Sequence, residues 1–305
     1  MIAALQQIPA PLQRALTDQV SRALAEAISL APFAELKGVA DETLKLVARD
    51  PAGRALGIVL CSPEIAPGLI ARGCERGRAA RAALGSELGQ TVVVARAEGE
   101  CEARSWACFP QARALGAGLA GRLERRWLAG AVLAWLRAAA AQTAAPADDA
   151  TRARYEAALA CAEREPALAP RVREAARAAR ERLAADAWQP RHVLMHGDLW
   201  DGNVLGAPGA LPFSRRFVLI DWDTSRVAGY PFFDLVRAAN AFRISRARLG
   251  REIAAHAALL GCTREDARGA LVAALGQIGL VRENFPLARY AEMCGAALAA
   301  FDESA

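Results

Sequence analysis

Two short apolar segments, each followed at once by acidic residues, interrupt a long helical stretch and constrain this chain more than any other feature. The first is HVLMH at 192–196, which leads into HGDLWDGN at 196–203, and the second is FVLIDWD at 217–223. Short runs of this kind, bounded by turn formers, are typical of strands. We predict that the two strands pair as a hairpin, so that the polar residues at their ends surround one point.

Three oxygen-bearing side chains of this hairpin suggest a chemistry. Asp198 leaves the first strand, Asn203 lies five residues further on, and Asp221 ends the second strand. Carboxylate and amide oxygens are hard ligands that suit Mg²⁺, which usually binds through one or two carboxylates together with substrate phosphates. A carboxylate that is not needed for the metal is able to orient and deprotonate an acceptor hydroxyl.

The rest of the chain separates into a strand-rich and a helix-rich part. Residues 10–30 place Leu12, Leu16, Val20 and Leu24 on one helical face. The predicted strands and the helix between them lie at 43–48, 55–61, 91–97, 105–109 and 65–84, and the later helices at 117–141, 153–163 and 168–186. We therefore predict an α+β fold with a small antiparallel sheet in an N-terminal lobe, 1–111, and a larger, mainly helical lobe, 112–305.

Composition excludes several classes of protein. Hydrophobic residues make up 54% of the 305 residues, which excludes intrinsic disorder. The net charge of +5 is spread along the chain, so no nucleic-acid partner is expected. The most apolar long stretch, 127–141, contains an arginine and is too short for a membrane span. The seven cysteines have no metal-like spacing, and with no signal peptide visible they predict free thiols in a cytoplasmic protein.

The sequence motifs that follow the two strands resemble those of a known family. HGDLWDGN has the Asp-to-Asn spacing of the kinase catalytic loop. With Gly after the His and Trp after the Leu, and with IDWD followed by GYPFFDL at 229–235, the sequence is similar to the aminoglycoside phosphotransferase and choline-kinase-like family. The resemblance implies a two-lobed protein-kinase-like fold and is specific over roughly 190–240.

The resemblance also implies a role for each residue of the site. Asp198 would be the catalytic base, or the group that positions the acceptor hydroxyl, while Asn203 and Asp221 would be the Mg²⁺ ligands. His196 would brace the loop, and Asp223 would be a second acid near the metal. Asp234 would anchor the loop by pairing with backbone or with an Arg. The implied reaction transfers the γ-phosphoryl group of ATP (or GTP) to a hydroxyl of a small molecule: an amino sugar, an amino alcohol or a sugar.

The N-terminal lobe departs from the family pattern. Members of the family carry a Lys or Arg on the third strand, paired with a Glu on the next helix, but the expected cation falls at or near Cys61. Glu75 would be the helix glutamate. The chain has only two lysines, Lys45 and Lys37, and either could reach the phosphates from a neighbouring position, the second beside Gly38 of a glycine-poor phosphate loop.

Three hypotheses follow for the reaction. The first is an active small-molecule kinase whose nucleotide base lies against a linker at 106–110, with contacts at Trp106 and Cys108. The second is a catalytically silent, nucleotide-binding pseudokinase that lacks the third-strand lysine. The third is a Mg²⁺-dependent phosphohydrolase that uses the same aspartates. The intact set Asp198, Asn203 and Asp221 favours the first.

Overall fold

A computed structural model describes residues 8–33, 43–282 and 285–304 of the chain. It divides into two compact units, each built from separate stretches of sequence. The first unit comprises Met1–Arg81, Gln90–Ala114 and Leu205–Thr224, and the second comprises Ala82–Gly89, Leu115–Val204 and Ser225–Ala305. The sequence predicted a single boundary after residue 111. The structure instead assigns Leu205–Thr224, which contains IDWD, to the first unit.

The first unit is built on a five-stranded antiparallel sheet, which confirms the predicted small sheet with one inserted helix. The strands, in the spatial order β1-β2-β3-β5-β4, are β1 Ser29–Pro32, β2 Leu44–Arg49, β3 Ala55–Cys61, β4 Ala97–Cys101 and β5 Arg104–Pro110. Helix α1 spans Ala10–Leu24, and α2, Leu69–Ala83, lies between β3 and β4 in sequence.

Each face of this sheet has its own apolar core, because successive side chains of a strand point to opposite faces. One core joins α1 to the sheet through Leu12, Leu16 and Val20, as the helical spacing predicted. The other core joins Ile70 and Cys74 of α2 to Ala107 of β5. Both faces of the sheet are therefore covered by a helix of the same unit.

Two sequence expectations in this unit need correction. The run at 91–97 is not a strand, since Val92 makes only one isolated parallel bridge, to Leu219. The strand begins instead at Ala97 and runs through Glu98 and Gly99, although glycine is commonly a turn signal. A glycine is suitable there because its partner on β5 is Trp106, and a Cβ on Gly99 would lie only 3.1 Å from the indole ring.

The second unit is mainly helical. Its helices are α3 Gly85–Leu88, α4 Gly118–Thr143, α5 Asp149–Arg164, α6 Pro170–Ala184, α7 Phe233–Ala241, α8 Arg246–Leu260, α9 Arg264–Leu280 and α10 Leu287–Asp302. Its small sheet consists of β6 Ala145–Pro146, β7 Arg191–Met195 and β10 Arg226–Gly229 in the order β10-β7-β6. In the described part of the chain, no helix is both long and apolar enough to cross a membrane.

The predicted hairpin between the two acidic-ended strands is wrong. The first strand, β7, pairs with β10 on one side and β6 on the other. The second strand is β9, Phe217–Leu219, and it pairs with β8, Val204–Gly206, in a separate two-stranded sheet. The apolar letters predicted two strands, but the choice of partner depends on long-range packing that a short segment does not encode.

Candidate active site

The predicted catalytic loop begins where β7 ends. His196 is 1% exposed and follows Met195 directly. Gly197 has φ +85, a backbone conformation that residues with a side chain rarely adopt, so this glycine permits the sharp turn into Asp198. The amide of Asp198 donates to Nδ1 of His196 at 3.3 Å, so the buried imidazole braces the loop through this hydrogen bond.

A second aspartate, from α7, fixes the backbone of the same loop. Oδ2 of Asp234 accepts the amide hydrogen of His196 at 2.5 Å, and Oδ1 accepts that of Gly197 at 3.0 Å. Burial raises the pKa of Asp234 from 3.8 to about 6, although the two amide donors pull it in the opposite direction. Each oxygen of one carboxylate is thus engaged by one residue of the loop.

Asn203 curls back over the loop, as its five-residue spacing from Asp198 allows. Its side chain is buried, and Nδ2 donates to the carbonyl oxygen of Asp198 at 2.9 Å and to Oδ2 of Asp198 at 3.2 Å. Within residues 8–33, 43–282 and 285–304, Oδ1 of Asn203 accepts no hydrogen bond. This oxygen is therefore available to a hard cation.

Arg237, one turn after Asp234 on α7, is a site residue that the sequence analysis missed. Its Nε donates to Oδ1 of Asp198 at 3.1 Å, and its Nη2 donates to the same oxygen. Residues three apart on a helix share a face, so the D-x-x-R spacing was the available signal. Nothing else in the sequence singled out this arginine among the 35 others.

The second acidic segment belongs to the first unit and is held by packing against α2. Asp221 is exposed and has φ +66, an uncommon conformation for a residue with a side chain and one that clusters at functional sites. Trp222 is 3% exposed, and its Nε1 donates to the carbonyl oxygen of Leu219 at 3.0 Å. A Cβ on Gly77 of α2 would lie 3.7 Å from Cβ of Trp222.

Asp223 contacts α2 one turn earlier in the helix. A Cβ on Gly73 would lie 3.5 Å from Cβ of Asp223. Gly73 and Gly77 thus let the backbone of α2 approach the segment closely, at the two positions four residues apart that face it. This packing and the Trp222 hydrogen bond help to hold the segment Asp221–Asp223 in place.

The predicted donors are of a chemical kind that suits Mg²⁺. In the part of the chain that the structure describes, no group of three or more His, Cys, Asp or Glu side chains is able to hold a metal ion. Mg²⁺ usually takes one or two protein oxygens and completes its shell with water and substrate phosphates. The predicted donors, the amide oxygen of Asn203 and the carboxylate of Asp221, are of that kind.

Lys45 is on the α2 face of the sheet in the first unit. It is exposed and lies directly opposite Leu60 of β3, so the two side chains share a face. Leu60 packs against the core that contains Ile70 and Cys74 of α2. Lys45 has no ion pair with any described residue. By contrast, Cys61 is fully buried in the core on the α1 face.

The other residues predicted to contact the nucleotide have different surroundings. Glu75 lies on the exposed side of α2, whose buried residues include Cys74 and Gly77, and it forms no ion pair with any residue of the described ranges. Lys37 and Gly38 lie outside the described residues.

The prediction of a linker at 106–110 is wrong. This segment is part of β5, a central strand whose backbone pairs with β3 on one side and β4 on the other. Trp106 and Cys108 are buried in the α1-side core, where Nε1 of Trp106 donates to Gln19 at 2.8 Å. Their side chains are therefore not exposed to a nucleotide base.

Comparison with known proteins identifies the family of this chain. The sequence model of the phosphotransferase enzyme family matches residues 86–272. No curated protein sequence matches the chain significantly. A solved structure of macrolide 2'-phosphotransferase MphH from Brachybacterium faecium is 23% identical, with 95% of this chain and 98% of that chain covered and a TM-score of 0.49.

Two further solved structures carry the comparison of folds. A thermostable mutant of aminoglycoside phosphotransferase APH(4)-Ia is 17% identical, covers 95% of this chain and 99% of its own, and has a TM-score of 0.55. Choline kinase LicA from Streptococcus pneumoniae is 13% identical, covers 95% and 99%, and has a TM-score of 0.53. These likenesses confirm the predicted protein-kinase-like fold.

Proposed function

Because the chain belongs to the phosphotransferase enzyme family, we propose that it transfers the γ-phosphoryl group of ATP (or GTP) to a hydroxyl of a small molecule. The observation that carries the proposal is the hydrogen-bonded catalytic loop. Asp198 is fixed through its amide by His196, through its carbonyl oxygen by Asn203 and through its carboxylate by Arg237. A carboxylate held in one orientation at a partly exposed position is what an acceptor hydroxyl requires.

In the proposed reaction, the acceptor oxygen forms a bond to the γ-phosphorus while the bond from phosphorus to the β–γ bridging oxygen breaks. The nucleoside diphosphate leaves with the electron pair, and the proton of the hydroxyl passes to Asp198. Catalysis of phosphoryl transfer is mainly positioning and electrostatic stabilisation. Asp198 orients the acceptor. The carboxylate of Asp234 accepts the amides of His196 and Gly197, and these hydrogen bonds keep the loop that carries Asp198 in place.

For the cofactor we propose Asn203 and Asp221 as the residues that hold Mg²⁺, since both offer hard oxygen donors. When bound, Mg²⁺ neutralises charge on the phosphates. We assign phosphate binding in the first unit to Lys45, with Lys37, Gly38 and Glu75 as further candidates and Asp223 as a second acid beside Asp221.

The acceptor is proposed to be an amino sugar, an amino alcohol or a sugar. Solved structures with this fold include an aminoglycoside phosphotransferase and a choline kinase, and these guide the choice of acceptors. Both carboxylates of the catalytic loop are paired with arginines, Asp198 with Arg237 and Asp201 with Arg125 at 2.9 Å. Neither offers unpaired negative charge to a cation, so neutral sugars belong in the panel beside aminated ones.

A phosphoryl-transfer screen of amino sugars, amino alcohols and sugars, with Mg²⁺ and either ATP or GTP, tests the proposal. We expect a phosphorylated product from the wild-type protein and none from Asp198→Ala. Undiminished turnover by Asp198→Ala would overturn the assignment. Nucleotide binding without transfer to any acceptor would favour the silent pseudokinase, and hydrolysis that never yields a phosphorylated acceptor would favour the phosphohydrolase.

A further inference from the structure

We propose that Arg237 is a positioning residue that fixes Oδ1 of Asp198 and thereby assigns Oδ2 to the acceptor hydroxyl. This inference rests on the proposed phosphotransferase function and deepens it, because it names the oxygen that meets the acceptor. Arg237 acts through Asp198, and the proton of the acceptor hydroxyl passes to Oδ2 of that residue.

Arg237 interrupts a buried stretch of α7. Every residue from Pro231 to Ala239 is buried except Arg237, which is partly exposed. The same helix supplies Asp234 one turn earlier, and Asp234 accepts the amides of His196 and Gly197. One turn of α7 therefore fixes three consecutive residues, the first two through their backbone and Asp198 through its carboxylate.

The two oxygens of Asp198 are engaged unequally. Oδ1 accepts two charge-assisted hydrogen bonds from the guanidinium group of Arg237. Oδ2 accepts one bond, from the neutral amide Nδ2 of Asn203, at 3.2 Å. Bonds from a charged donor are roughly twice as strong as neutral ones. An incoming hydroxyl therefore competes for Oδ2 at lower cost than for Oδ1.

A purely stabilising role does not account for this pair. Asp198 and Arg237 have side chains that are each 33% exposed, and ion pairs with that exposure contribute little to folding. The pair Arg268–Asp302 in the same unit has side chains that are 32% and 38% exposed. There the arginine binds both oxygens, Nε to Oδ1 at 2.9 Å and Nη2 to Oδ2 at 3.1 Å. Arg237 instead concentrates both donors on one oxygen and leaves the other with a single bond from a neutral amide.

The experiment compares Arg237→Ala and Arg237→Lys with the matched control Arg268→Ala. Steady-state phosphoryl transfer to an accepted substrate gives kcat and the KM for the nucleotide, with and without added guanidinium ion. We expect Arg237→Ala to lower kcat about 100-fold, the order of loss that follows misplacement of a reacting group, with the nucleotide KM changed less than about threefold. Arg237→Lys should fall between this variant and the wild type.

Added guanidinium is the readout that a structural role would not move. It should restore part of the kcat of Arg237→Ala, and it should leave Asp198→Ala and Arg268→Ala unchanged. Wild-type kcat in Arg237→Ala would overturn the inference, and so would a loss that guanidinium does not reverse and that a lowered melting temperature accompanies. If the wild-type protein transfers no phosphoryl group to any acceptor, the proposed function itself fails, which is a different result from normal transfer by Arg237→Ala.

Discussion

The two acidic segments of this chain are held in place by different forces. In the second unit, Asp234 and Nδ1 of His196 accept backbone amides of the predicted catalytic loop, and Asn203 and Arg237 donate to Asp198. In the first unit, the segment that contains Asp221 is held by the burial of Trp222 and its packing on the glycines of α2. A polar network fixes individual atoms, whereas packing fixes the path of a segment.

The difference predicts unequal tolerance to substitution. Loss of one acceptor in a buried polar network leaves an unsatisfied donor, so the catalytic loop should respond to isosteric changes. By contrast, a glycine of α2 that faces the acidic segment should tolerate replacement by alanine where there is space for the added methyl group. The following predictions test this contrast, from the largest expected effect to the smallest.

Asp234→Asn should lower kcat roughly 100-fold, because a misplaced reacting group costs about this much. The asparagine keeps the shape of the side chain but offers only one acceptor oxygen to two amide donors, those of His196 and Gly197. Steady-state kinetics checks this loss. The matched control is Asp266→Asn, which removes an acceptor from the amide of Thr263 at 3.0 Å in α9 and should leave kcat unchanged. An unaltered kcat in Asp234→Asn would show that the network does not position the loop.

Replacement of Lys45 by Met should raise the nucleotide KM about tenfold, since a hydrogen bond to a charged group contributes about 1.5–3 kcal/mol. The control is Arg49→Met on the same strand, an exposed arginine that donates to the carbonyl oxygen of Gly53 at 2.9 Å and should not affect the nucleotide KM. Equal KM values for Lys45→Met and the wild type would remove Lys45 from phosphate binding and strengthen the pseudokinase hypothesis.

The pH dependence of Asp234 should act on stability and activity in opposite directions. Its pKa of about 6 in the folded protein exceeds the ordinary 3.8, so the native state binds the extra proton. The stability that this group contributes is complete below pH 3.8 and is lost as the pH rises through 6. From pH 5 to pH 7 the loss amounts to about 1 kcal/mol.

Urea unfolding of the wild type and of Asp234→Asn at the two pH values measures this loss, which should be absent in the variant. Activity should instead fall below pH 6, because a protonated Asp234 presents one acceptor fewer to the loop. If both proteins change stability equally between pH 5 and pH 7, the titration does not belong to Asp234.

Gly73→Ala should have the smallest effect on function and should stabilise the protein by up to about 1 kcal/mol, the difference in helix propensity between Gly and Ala. The new Cβ would lie 3.5 Å from Cβ of Asp223, an ordinary contact distance. Thermal unfolding and kcat check the two expectations. A larger residue such as Leu should displace the acidic segment, and full activity in Gly73→Leu would show that α2 does not set its path.

Much of the fold was predictable because it depends on local patterns. Leu12, Leu16 and Val20 recur at helical spacing and are buried together, and the runs predicted as strands at 43–48 and 55–61 match β2 and β3. The prediction failed at 91–97, where three consecutive valines indicated a strand. Only Val92 of the three is buried, and its one bridge is too little pairing to make the segment a strand of the sheet.

In the candidate site, too, local spacing was predictable from the sequence and long-range pairing was not. Asp198 and Asn203 were identified by their spacing, and the structure brings the two side chains together. Trp106 and Cys108 were assigned to a linker, but both neighbours of β5 pair with this segment, which buries the two side chains under α1. The pairing of a strand on both sides is a property of the whole sheet and has no signal in the strand itself.

The sequence alone determined the chemistry of the loop, since the order His-Gly-Asp and the five-residue step to Asn203 are local and fix which groups one turn presents. Tertiary structure decided what these groups contact. It placed Arg237 on one oxygen of Asp198, and it brought Gly73 and Gly77 of α2 against the acidic segment. Spacing along a chain fixes which side chains share a face, but only the packing of distant elements fixes what that face meets.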